Sequence, residues 1–280
     1  MSRRLTVVAL VAAGLIAACS TTPFGAPVAS AVASAPGAGP MTAIPSGGYL
    51  SADQIQALGL TVTTPAPLGA PAEVADRALS ERYRGYENGD RWLLATAHAE
   101  LSPMLAAQHF DCALGVRFAS VPTPHLAAMF DRLLKDANGA AEAAKARAFR
   151  PRPVGVDPGR PTCTAVTPAG RSSASYPSGS ATVGTAYGEA VAALDPVRAE
   201  AAREIGRQIG ISRIVCGMHY PADVAAAEPL GRAVFDAAAD TPAFRADLAG
   251  AQIELAAVRA TGLTNPGCVA ERAALALPLP

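Results

Sequence analysis

The sequence predicts an all-α fold, a single compact helical bundle, on three observations. Alanine- and leucine-rich runs are punctuated by proline and glycine at helix-length spacing. The period-2 alternation of half-buried strands is scarce, and Thr-Pro and Asp-Pro pairs stand where helices would open. The chain has 280 residues, 50% of them apolar, enough to bury one sizeable core without a second domain. Lysine plus arginine balances the acidic residues at 23 each, so no net field points to nucleic acid or an anionic membrane.

The N-terminus is read as a targeting segment. Arg3 and Arg4 precede the apolar run 5–18, short for a membrane span and suited to a signal-peptide core. Residues 1–18 are therefore an expected signal peptide, ending in LIAAC. Cys19 in that setting resembles the lipobox cysteine of bacterial lipoproteins, with an ordinary secretory signal cleaved nearby as the alternative. Either places the protein in the periplasm or cell envelope, touching membrane only through a lipid on Cys19. Residues 19–47 are Ala, Pro, Ser and Gly with almost no charge, a flexible tether before a helical domain at 48–280.

Within the domain, a helix is expected from 91 to about 108, broken at Pro103. Thr123-Pro124 opens another, with Gly139 as its stop, and a third over 140–148 puts Lys145 near its end. The span 149–176, rich in Pro, Gly, Ser and Thr, reads as a loop. Asp195-Pro196 opens a helix that stops near Gly210, and Thr241-Pro242 opens the last long one, to about Gly262. After Cys19 come Cys112, Cys163, Cys216 and Cys268. An even number in an exported chain fits up to two disulfides, and three pairings stay open. The cysteines lack the close-pair spacing of zinc sites, and Cys216 reads as a staple rather than a nucleophile.

Chemistry gathers in three segments. In SRIVCGMHYPAD (212–223), His219 stands four residues before Asp223, so on a helix the two would share a face. The carboxylate would take the proton of one imidazole nitrogen and free the other as a nucleophile. Arg213 offers a planar charged fork to an oxyanion. Upstream, KARAFRPRP holds Lys145 and, seven residues on, Arg152 followed by Pro153. Between them SYPSGSAT holds Pro177, Ser178 and Gly179, the make-up of a helix start whose free N–H groups trap an anion. The Ser178 hydroxyl is a further donor. Arg147 and Arg150 read as solvated charges, and His98, His109 and His125 lie outside every motif.

The order K-x6-RP, PSG, SR-x5-H-x3-D resembles the signature of the type-2 phosphatidic acid phosphatase superfamily, which also contains vanadium haloperoxidases. The soluble bacterial class A nonspecific acid phosphatases look most similar. The likeness extends to GGYLSADQ from Gly48, to GDRWLLA and to TPAFRADLA near 245. It implies hydrolysis of small phosphomonoesters without metal or cofactor, and is compatible with a homodimer. By resemblance, Lys145, Arg152, Arg213, Ser178, Gly179 and Ser180 hold the phosphoryl group. Fixed cations and N–H donors of this kind stabilise the charge spread over its equatorial oxygens. His219 then attacks phosphorus to form a phosphohistidine, with Asp223 orienting the ring.

One position departs from the signature. Ser180 stands where the family has a histidine that protonates the leaving oxygen, so turnover is expected to be impaired. The alternative is a pseudophosphatase that binds phosphate or phosphorylated ligands. A haloperoxidase fits less well, because the chain is short and follows the phosphatase branch beyond the motifs. A membrane lipid phosphatase also fits less well, because no mature segment is long enough to span a bilayer.

Overall fold

The structure, a computed structural model, describes residues 47–280. The signal peptide, the Cys19 site and the tether as far as residue 46 lie outside the described residues. Within them the chain is α-helical with no strand, as the patterning predicts. In chain order the helices are α1 (Ala52–Leu60), α2 (Pro71–Arg82), α3 (Asp90–Ala97), α4 (Pro103–Ala107), α5 (Asp111–Leu114) and α6 (Pro124–Lys145). There follow α7 (Pro153–Val156), α8 (Pro168–Ser172), α9 (Gly179–Leu194), α10 (Ala199–Val215), α11 (Pro221–Ala239), α12 (Pro242–Ala260) and α13 (Cys268–Leu275). No described helix is long and apolar enough to cross a membrane.

The bundle is built around α9, whose sequence GSATVGTAYGEAVAAL is small or apolar on every side and buried almost throughout. It packs against α6, α10 and α11. A Cβ on Gly184 would lie 2.9 Å from the Gly206 carbonyl oxygen, and one on Gly206 would lie 2.5 Å from that of Gly184. The backbones of α9 and α10 therefore touch, and Gly231 of α11 meets the Thr182 carbonyl equally closely. On the other side α6 turns a stripe of Leu126, Met129, Phe130, Leu133, Ala137, Ala140 and Ala144 inward. Phe130 stacks on Tyr187 of α9 with ring centroids 4.0 Å apart.

Several expected boundaries move. The helices expected at 124–139 and 140–148 are one helix, α6, because Gly139 does not stop it. That glycine makes room for α1, since its Cβ would lie 3.0 Å from Ile55. Gly210 likewise lies inside α10, where a Cβ would press 2.9 Å from Val224. The helix ends at Cys216, and the turn is made by Gly217 at φ +69°. The helix expected at 91–108 is two, with Pro103 opening the second. Residues 149–176 form an irregular span with two short helices, α7 and α8. α12 ends as expected, but α13 follows it, held by Cys112–Cys268. Cys163–Cys216 ties the long loop to the turn after α10. Of the three pairings open from sequence, this is the one formed.

Candidate active site

α10 and α11 meet in a tight turn that carries the third motif. The Met218 and His219 amides both donate to the Arg213 carbonyl, at 3.0 and 3.3 Å, which folds His219 back over the end of α10. His219 and Asp223 therefore do not share a helix face, because α11 begins only at Pro221. Asp223 sits in the first turn of α11, where a carboxylate is favoured by the free amides and the helix dipole. Its Oδ2 accepts the Tyr220 amide at 2.8 Å and lies 3.5 Å from His219 Nδ1.

On the ring's other side, Arg152 Nη1 donates to His219 Nε2 at 2.8 Å. A guanidinium has no acceptor, so Nε2 carries the lone pair and Nδ1 the proton. The ring is 2% exposed. Burial, helped by the Arg152 charge and opposed by Asp223, pushes its pKa down to about 3. The imidazole is thus held neutral, with the Nε2 lone pair turned to Arg152. Asp223 behaves oppositely: burial disfavours its charge, but bonds from His219, Arg150 and Ser175 outweigh burial and hold it below the usual carboxylate range.

Two of those partners escaped the sequence reading. Arg150 is buried, not solvated, and bridges Asp223 Oδ1 at 2.8 Å and Asp76 Oδ2 at 2.7 Å. Its guanidinium also lies 4.1 Å from the centre of the Tyr220 ring. Ser175 Oγ donates to Asp223 Oδ2 at 2.5 Å and stands 3.4 Å from His219 Nδ1. The signal available was that Arg150 and Arg152 are two apart in an extended segment, so both can face the same side. Arg147, by contrast, is exposed and donates to the Leu60 and Val62 carbonyls at the end of α1.

Of the expected anion-binding residues, Arg152 reaches Nε2, the Arg213 charge is felt at the ring, and Lys145 borders Gly179. Arg152 is fixed by bonds to Ser173 Oγ and the Met218 carbonyl. Arg213 is 9% exposed, and its Nε and Nη1 have no hydrogen-bond partner. Burial, then the neighbouring Arg152 charge, lowers its pKa to about 10. Buried guanidinium donors without an acceptor are costly, and beside a second cation they suit an anion. Lys145 Nζ lies 3.5 Å from where a Cβ on Gly179 would be, at the start of α9. Ser178 caps that helix, its Oγ accepting the Ala181 amide at 3.2 Å, and its own amide donates to the Asp223 carbonyl at 3.0 Å. Ser178 is therefore first a cap, and the amides of Gly179 and Ser180 form the open N-terminus of a sixteen-residue helix.

The remaining histidines are occupied elsewhere. His98 Nδ1 is 2.9 Å from Ser212 Oγ, and His109 Nε2 is 2.8 Å from the Glu100 carbonyl. His125 is exposed against Gly250. No imidazole therefore takes the place left at Ser180.

Residues 125–239, which hold all three motifs, match the family model described as the PAP2 superfamily. A protein of Zymomonas mobilis named acid phosphatase is 32% identical over 206 residues, 73% of this chain and 78% of its own length. The chain belongs to the PAP2 superfamily. Two further relatives are named non-specific acid phosphatase. That of Providencia stuartii is 28% identical over 233 residues, covering 82% of this chain and 93% of its own. That of Salmonella typhi is 31% identical over 177 residues, covering 62% and 70%. The matched residues thus contain the buried His219 and Asp223, Arg152 and the unpaired Arg213 donors.

Proposed function

We propose that this superfamily member is an acid phosphatase that hydrolyses small phosphomonoesters through a phosphohistidine. One observation carries the reading: a buried, neutral His219 whose Nε2 accepts from Arg152, with the charge of Arg213, whose donors are unsatisfied, also felt at the ring. The relatives named acid phosphatase support it. When an ester binds, the Arg152 contact passes from Nε2 to a phosphoryl oxygen. Arg213, Lys145 and the Gly179 and Ser180 amides take the others. The Nε2–phosphorus bond then forms as the ester oxygen departs, and Asp223 offsets the positive charge developing on the ring. Water reverses the step and frees phosphate. The reading includes export, with Cys19 as the lipid site, and a homodimer. A Cys19→Ser variant that still fractionates with membranes would remove the lipid.

The test is p-nitrophenyl phosphate with rapid acid-free quenching to trap a phosphoprotein. His219→Ala should form no phosphoprotein and lose turnover while keeping the helical fold of the natural protein. An alanine variant that kept most of its activity would sink the assignment. Ser180 favours the second reading, a pseudophosphatase. Tight vanadate binding without turnover of any ester would select it.

A further inference from the structure

Ser180 leaves the leaving oxygen without its family's imidazole, and a hydroxyl does not exchange a proton near neutral pH. Asp223 cannot serve instead, being buried behind His219 and engaged by Arg150, Ser175 and the Tyr220 amide. Glu142 is placed differently. It projects from α6 one turn before Lys145, with Oε1 2.6 Å from Lys145 Nζ. That ammonium borders Gly179, the residue before Ser180, at 3.5 Å from its Cβ position. The Glu142 charge is also felt at Arg152, where burial lowers the guanidinium pKa and Asp223 and Glu142 oppose it. The Glu142 side chain is 68% exposed against 10% for Lys145, so it holds the solvent side of this ion pair.

We propose that Glu142 is the general acid and base of this chain, supplying the proton transfer that Ser180 cannot. The proposal rests on the phosphohistidine reading. Substrate and Glu142 compete for the same ammonium. A phosphoryl group that takes Lys145 frees the Glu142 carboxyl to turn toward the leaving oxygen. The carboxyl proton passes to the ester oxygen as the Nε2–phosphorus bond forms and the phosphorus–oxygen bond breaks, releasing the alcohol. In the second half, the carboxylate takes a proton from water as the water oxygen bonds to phosphorus and the nitrogen–phosphorus bond breaks. Phosphate leaves, and both His219 and the Glu142 carboxyl are restored.

The experiment compares two esters by kcat/KM, which reports only steps through phosphohistidine formation. p-Nitrophenolate leaves unaided, whereas the alcohol of glycerol 2-phosphate needs a proton. Glu142→Gln should lower kcat/KM for glycerol 2-phosphate by about 10²–10⁴, the usual worth of a general acid, and that for p-nitrophenyl phosphate far less. Adding Ser180→His to that variant should restore much of the alkyl activity, because an imidazole then stands at the family's position. Lys145→Gln should depress both esters alike, since it holds the phosphoryl group rather than the leaving oxygen. Equal losses on both esters in Glu142→Gln, or no loss on either, overturn the proposal and leave Glu142 as a partner of Lys145. Absence of a trapped phosphohistidine in the natural protein defeats the underlying mechanism instead, and this proposal with it.

Discussion

At the scale of single residues, the site depends on how a buried carboxylate is kept charged. Asp223 is enclosed by Arg150, Ser175, the Tyr220 amide and the His219 ring, and each contact offsets part of the cost of burying that charge. Ser175 is the member nearest the chemistry, because it touches both Asp223 and the face of Nδ1. Its contacts are Asp223 and Nδ1, not the Nε2 edge, so we expect it to act by positioning. Ser175→Ala removes a hydrogen bond to a charged group, worth about 1.5–3 kcal/mol. We expect kcat on p-nitrophenyl phosphate to fall about tenfold or more on that basis, with KM unchanged. A raised KM at constant kcat would mean that Ser175 shapes the anion site instead. The sequence could name Lys145, Arg152, Arg213 and His219 because they stand at fixed spacings in short motifs. It could not name Arg150, whose decisive partner Asp76 lies far away on α2 and gives no spacing to read. A lone arginine in a basic loop looks the same whether it is solvated or buried.

At the scale of elements, the long central helices were legible, α1, α2 and α13 were not, and the endings were misread for one physical reason. Glycine costs an interior helix position roughly 1 kcal/mol, so an isolated glycine reads as a stop. Gly139 and Gly210 instead sit where a neighbouring helix leaves no room for a Cβ, a tertiary demand that outweighs the local propensity. The same reasoning gives a prediction whose sign is opposite to the propensity rule. In an exposed helix Gly→Ala would stabilise by about 0.5–1 kcal/mol. At Gly206 the added methyl would meet the Gly184 carbonyl oxygen at 2.5 Å, and α10 must be pushed off α9. Gly206→Ala should therefore destabilise by about 1–3 kcal/mol, the usual range for overpacking, read as a lower urea midpoint at constant m. Because α9 presents Gly179 and α10 presents Arg213, the same shift should weaken vanadate binding. A midpoint that rises would show slack between the two helices.

At the scale of the whole molecule, the buried titrating groups make stability depend on pH. His98 and His219 are both pushed down to about 3, burial being the main cause in each. A depressed base stays neutral in the fold while the unfolded chain takes up its proton from near pH 6.5. Their contribution is therefore complete above that pH and is lost progressively as pH falls toward 3. Asp223, held low against its burial by its partners, acts in the same direction at lower pH. Asp136, which accepts the Tyr49 and Leu50 amides, acts in the opposite direction: burial raises it to about 6. Its contribution is present below about 4 and is lost as pH rises through 6. Asp76, Asp111 and Glu271, also raised by burial, act with Asp136, and His109, lowered by burial, acts with the other two histidines. His98 and His219 are moved furthest and should win, so the melting temperature should fall as pH drops from 6.5 toward 4. His98 allows this to be tested at a residue outside the three motifs, although its partner Ser212 opens the third of them. His98→Asn, a smaller polar group for the same hydroxyl, should lower the melting temperature at pH 7 and flatten its acid fall, as one of these histidine protons no longer drives unfolding. If the acid slope of the variant matches that of the natural protein, buried His98 is not among the groups that set it.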